Sequence, residues 1–138
     1  MADELIESAE IVPIVTIETL SDDPYSADDA LPSPEQLQSL ADALGELFGS
    51  QPSGTWVRAR QQQRAYYAEN YIEVSPDMRP VIVEVLKSEL GNGRDLDLEA
   101  AAVCALVAQT LGRRTQSVHV IYELPARGRV AFGGKLVR

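Results

Sequence analysis

Apolar and polar positions along this chain follow two different periods, and the period switches from segment to segment. Residues 11–18, IVPIVTIE, are apolar and rich in β-branched side chains, which predicts a buried strand. Pro13 is tolerated there only near the start or at an edge. Residues 21–34, SDDPYSADDALPSP, are turn formers and predict a loop. Ser33-Pro34-Glu35-Gln36 then marks a helix start, with Ser33 as cap, Pro34 at the first helical position and Gln36 reaching back. Leu37, Leu40, Ala41, Leu44, Leu47 and Phe48 form one stripe, and Gly49 stops the helix. Residues 55–60, TWVRAR, alternate and predict a second strand, followed by the polar, aromatic stretch QQQRAYYAENY.

The same order then starts again. Residues 79–87, RPVIVEVLK, predict a third strand, and GNGRD reads as a turn leading to a helix near Asp97. Leu98, Ala101, Ala102, Ala105, Leu106 and Leu111 are the expected buried side, and Gly112 the stop. Residues 117–123, SVHVIYE, predict a fourth strand, and residues 129–132 a short fifth before Gly133-Gly134. Matching Pro13 to Pro80 and Trp56 to His119 makes this an internal duplication of β-α-β units. Right-handed crossovers give parallel pairing within each unit. The expected fold is therefore α/β, a four-stranded sheet with two helices on one face. Apolar residues on both sheet faces call for the other face to be covered by another subunit. Residues 1–10 read as an N-terminal extension and residues 11–138 as one domain, with repeats at about 11–75 and 79–138.

Composition narrows the function classes. A chain of 138 residues, 45% of them apolar, buries a core without metal or disulfide staples. With 12 Lys and Arg against 21 Asp and Glu, the net charge of −9 disfavours nucleic acid. The charge is uneven: Asp22, Asp23, Asp28 and Asp29 crowd the first half, while Arg127, Arg129, Lys135 and Arg138 load the end, leaving room for a local anion site. The single cysteine, Cys104, lies in AAAVCALVA and reads as a small buried hydrophobe. The acidic start MADELIESAE lacks the marks of a signal peptide, and no apolar run reaches the ~20 residues of a membrane span. A cytoplasmic protein without metal or other cofactor is the expectation.

Residues 117–123 together with residues 126–136, ARGRVAFGGKL, resemble the closing segment of the tautomerase superfamily. Residues 13–17, PIVTI, resemble its first strand, and residues 55–58 with 67–70 resemble its fused, double-length members. That superfamily includes 4-oxalocrotonate tautomerase, 5-carboxymethyl-2-hydroxymuconate isomerase and macrophage migration inhibitory factor. The resemblance implies a homotrimer with sites near subunit boundaries and a small carboxylate-bearing substrate. It also implies keto-enol proton transfer by the secondary amine of an N-terminal proline, on a 2-hydroxy-enoate or 2-keto acid. An α-amino group has a pKa of ~7.7–8.0, and desolvation or a nearby cation lowers it into the working range. Arginines would hold the carboxylate and the developing enolate.

Pro13 occupies the family's catalytic position, yet it follows Val12, so its nitrogen is a tertiary amide without basicity. Two readings stay open. Either residues 1–12 are absent from the mature protein, as a start at Val12 followed by methionine removal would arrange, or the chain is a non-catalytic trimeric binding or structural relative. Arg58 and Arg60 share a strand face with Trp56 and are candidate carboxylate binders. His119 matches the place of a substrate-binding arginine. Tyr122, Arg127, Arg129 and Phe132 complete the candidate set, with Phe132 two positions after Val130, where the family's short member carries an active-site phenylalanine. The family's first-loop arginine has no counterpart at Ser21, Asp22 and Asp23.

Overall fold

A computed structural model describes residues 13–21, 31–75 and 77–138. The extension, the first two residues of the expected first strand and the acidic run Asp22–Asp29 lie outside the described residues. In chain order the elements are β1 (Ile14–Ser21), α1 (Pro34–Phe48), β2 (Trp56–Gln63), a 3-10 turn (Arg64–Tyr66), β3 (Val81–Leu86), α2 (Gly93–Leu111), a second 3-10 turn (Thr115–Ser117), β4 (Val118–Tyr122), β5 (Ala131–Phe132) and β6 (Lys135–Leu136). The main sheet has the order β2-β1-β3-β4. β1 is parallel to β2, β3 is parallel to β4, and the two β-α-β halves meet through the antiparallel pair β1–β3.

Helix α1 starts as its sequence demands. The Gln36 amide donates to Ser33 Oγ at 3.1 Å, and the Ser33 amide donates to Gln36 Oε1 at 2.8 Å. Gln36 Nε2 also donates to the Thr110 carbonyl at 3.2 Å, tying this end to the last turn of α2. Gly49 closes α1 at φ 68°, a left-handed conformation that costs glycine nothing. Both helices cover one sheet face, where Val15, Ile17, Val81, Val83 and Val85 pack with Leu40, Leu44, Val103 and Val107. All nine are fully buried, each contributing roughly 1.5–3 kcal/mol of transfer free energy.

Several expectations need correction. β2 runs on through Gln61, Gln62 and Gln63, because β1 continues to Ser21 and offers those polar residues a parallel ladder. α2 starts at Gly93, not near Asp97, since the Asn92 side chain accepts from the Asp95 amide at 3.1 Å and caps it there. Its buried side is Val103, Val107 and Ala108, flanked by half-buried Leu96, Ala100 and Leu111. Leu98 is 64% exposed, and Ala101 and Ala105 are exposed too. The run AAAVCALVA is apolar all round, so its period cannot fix which side faces the sheet. Cys104 is half-buried and donates its Sγ proton toward the Val118 carbonyl at 3.2 Å.

The duplication holds, with a shifted register. Pairing Pro13 with Pro80 would equate buried Val15 with half-buried Ile82, which points to the opposite face. An even offset is required. Val15 with Val83 and Ile17 with Val85 keep the faces, and this spacing agrees with Trp56 matching His119 through the strand pairings. A sixth strand was not anticipated. Gly133 and Gly134, at φ 57° and 83°, form the two-residue turn between β5 and β6, where a side chain at either position would be strained.

Candidate functional site

The sheet face away from the helices carries the chemistry. Strand pairing sets its rows. Trp56, Ile14 and Leu86 lie side by side; next come Arg58, Thr16 and Glu84; then Arg60, Glu18, Ile82 and His119. Ile14 and Leu86 of the first row and all three residues of the second floor a cleft of about 270 Å³ lined by Ile14, Thr16, Arg58, Glu84, Leu86, Glu123, Arg129 and Val130. Glu123 closes one side just past β4. Arg129 and Val130 come from the segment leading into the β5–β6 hairpin.

Each charged group in the cleft has a defined setting. Arg58 Nε donates to Thr16 Oγ1 at 2.9 Å, and Thr16 is only 6% exposed. The hydroxyl therefore holds a guanidinium whose terminal nitrogens have no ion pair among the described residues. Arg129 Nη1 donates to the Leu124 and Pro125 carbonyls at 3.0 and 3.1 Å, which fixes its loop while keeping its charge. Glu84 Oε1 accepts from Arg60 Nη2 at 2.8 Å, and Arg60 Nε reaches Glu18 at 3.0 Å. Arg60 is thus a bridge between two carboxylates, positioning Glu84.

Pro13 immediately precedes the cleft residue Ile14. It is buried, and its carbonyl accepts from the Trp56 amide at 3.1 Å. Phe132 meets Trp56 edge to face, with centroids 5.2 Å apart at 88°. The expected residues Arg58 and Arg129 are thus brought together, with Phe132 beside Trp56 at the Pro13 end. The others go elsewhere. His119 is exposed at the far side of the Arg60 row. Arg127 pairs with Glu89 at 2.7 Å in an exposed ion pair.

Tyr122 pairs with buried Val85, on the helix side of the sheet, and its hydroxyl donates to Glu99 Oε1 at 3.0 Å. Burial, and then the Glu99 carboxylate, push its phenol well above the usual tyrosine range. Lys87 reaches the other oxygen of Glu99 at 2.7 Å and sits 5.4 Å from the Phe48 ring centre. This cluster pins α2 to the ends of β3 and β4, away from the cleft.

Thr16, Glu84 and Glu123 are site residues that sequence reasoning missed. The alternation of polar residues within the apolar strands was the available signal, but only the pairing order joins Arg58, Thr16 and Glu84 into one row. No group of three or more His, Cys, Asp or Glu among the described residues is placed to hold a metal ion. None of the described helices is long and apolar enough to cross a membrane.

The sequence matches no family model and no curated protein, whereas solved structures match it well. Pt0534 inactivated by 2-oxo-3-pentynoate superposes with a TM-score of 0.67 at 17% identity, over 90% of this chain and 94% of the other. A wild-type fused 4-OT in an asymmetric trimer gives 0.66 at 13% identity, over 88% and 95%. The macrophage migration inhibitory factor homologue from Prochlorococcus marinus gives 0.60 at 22% identity, over 91% and 99%. About nine-tenths of the chain is spanned in each case, and the chain has the fold of the tautomerase superfamily.

Proposed function

We propose that this chain is a tautomerase-like isomerase acting on a small 2-hydroxy-enoate or 2-keto acid, active in a form that begins at Pro13. The reading rests on one observation: Pro13 immediately precedes Ile14, which opens β1 and lines a cleft whose two guanidinium groups, Arg58 and Arg129, have no carboxylate partner among the described residues. In that form the proline nitrogen is a secondary amine. Its lone pair takes a proton from the carbon beside the carbonyl, the C–H electrons form the enol double bond, and the oxygen becomes an enolate. Arg58 and Arg129 hold the substrate carboxylate and offset the charge growing on that oxygen. Return of that proton from the ammonium to the enolate oxygen gives the enol, and ketonisation runs the same transfers in reverse, taking the hydroxyl proton and delivering a proton to carbon. The half-covered sheet face, with Trp56 and Ile121 46% and 49% exposed, would be closed by assembly into a homotrimer. Cytoplasmic residence belongs to the same proposal.

The second reading is a trimeric binding or structural protein of the same fold. Val12 favours it, because an amide at Pro13 provides no base. Ultraviolet assays of phenylpyruvate and 2-hydroxymuconate ketonisation separate the two, run on the full-length chain and on a version starting at Pro13. Turnover gained only by the shorter protein supports the isomerase. Background rates in both overturn it.

A further inference from the structure

The cleft is not simply basic. Arg58 and Arg129 face it together with Glu84 and Glu123, among the apolar side chains of Ile14, Leu86 and Val130. A ligand bearing only carboxylates would meet both cations but also press against both anions. Glu84 has one oxygen on Arg60, which leaves its Oε2 turned to no cation among the described residues, and Glu123 has no ion pair there at all. Closing a carboxylate-only ligand over these groups strips water from them without replacing it, which lowers affinity.

From this arrangement we propose that the cleft selects a small zwitterion: a carboxylate for Arg58 and Arg129, and an ammonium for Glu84 and Glu123. The row geometry suits such a ligand. Arg58 and Glu84 lie on the two strands flanking Thr16, so their backbones are roughly 10 Å apart at the usual strand spacing. Arg58 is drawn toward β1 by its bond to Thr16 Oγ1, and Arg58 and Glu84 form no ion pair with each other among the described residues, so both stay available to a ligand set between them. The apolar wall at Ile14, Leu86 and Val130 receives the ligand's side chain. This inference rests on the reading above only in taking the same cleft as the binding site, and it does not need Pro13 to be free.

Titration calorimetry on the full-length chain tests it with three probes of one shape: phenylalanine, phenylpyruvate and phenethylamine. Phenylalanine is expected to bind at least about tenfold more tightly than either partial analogue, since each lacks one charge-assisted contact. Glu123→Gln, at an exposed position, should weaken phenylalanine several-fold and leave phenylpyruvate unchanged or tighter. Phenylpyruvate binding as tightly as phenylalanine, an equal loss for both in Glu123→Gln, or no binding of any probe overturns the proposal. Its failure differs from that of the isomerase reading. Turnover by the Pro13-start protein without a preference for phenylalanine removes the zwitterion and keeps the isomerase. A preference without turnover does the reverse.

Discussion

The bond between Arg58 Nε and Thr16 Oγ1 allows the cleft to be tested by a double-mutant cycle. Arg58→Ala removes the guanidinium. A hydrogen bond to a charged group is worth about 1.5–3 kcal/mol, and Arg58 is exposed in the single chain, so the lower half applies. At about 2 kcal/mol, kcat/KM for phenylpyruvate in the Pro13-start protein falls roughly 30-fold. Thr16→Val keeps the β-branched shape inside β1 but deletes the acceptor 2.9 Å from Arg58. Losing that anchor costs about 1 kcal/mol, or about fivefold. Since Thr16 acts on substrate only through Arg58, the double variant should be no worse than Arg58→Ala. Initial rates at low substrate give kcat/KM directly for all four proteins. A double variant down roughly 150-fold, the additive result, would refute the argument, as would an unchanged rate for Arg58→Ala.

Two further predictions concern the frame around the cleft. Leu44 is fully buried between α1 and the sheet, so Leu44→Ala should cost ~2–5 kcal/mol in urea unfolding, whereas Leu98→Ala, at a 64% exposed position of α2, should stay within ~0.5 kcal/mol; equal effects would mean that the buried side of α2 is misplaced. Tyr122 has its phenol pKa raised by burial and Glu99, so it favours folding fully below the unfolded value of ~10 and loses that contribution as pH climbs above it. In an absorbance titration at alkaline pH, Tyr122→Phe should remove the component that ionises last and flatten the fall in stability above about pH 10; loss of an early component instead would contradict the buried placement.

What was legible in the sequence was set by local signals. Ser33, Pro34 and Gln36 state where α1 begins because capping is decided within one turn. The strands around Ile17, Val83 and Val120 announce themselves by β-branched residues. Information fails where the answer lies in a partner element. The buried side of α2 depends on which apolar stripe meets the sheet, and AAAVCALVA offers several. The extra length of β2 is supplied by β1, since Gln61–Gln63 have little strand character of their own. The candidate site divides in the same way. Arg58, Arg129 and Phe132 were visible as residue types, while Thr16 and Glu84 became site residues only through the β2-β1-β3 order. Tyr122 was counted in the candidate set as a residue type, and a one-residue step in register from Ile121 puts it on the opposite face, beside Val85.

The contact of Trp56 with Phe132 and with the Pro13 carbonyl has a practical side. Trp56 is the only tryptophan in the chain, 46% exposed, with its indole nitrogen donating to the Ser53 carbonyl at 2.8 Å. Its emission therefore comes from a single location, the end of β2 that abuts Pro13. An amine appearing at Pro13, a ligand settling against Ile14, or a subunit covering the open face each alters the polarity around that one indole. Emission wavelength and quenching by a small neutral quencher then follow the state of this corner without any attached label. The rest of the molecule contributes no indole signal to subtract.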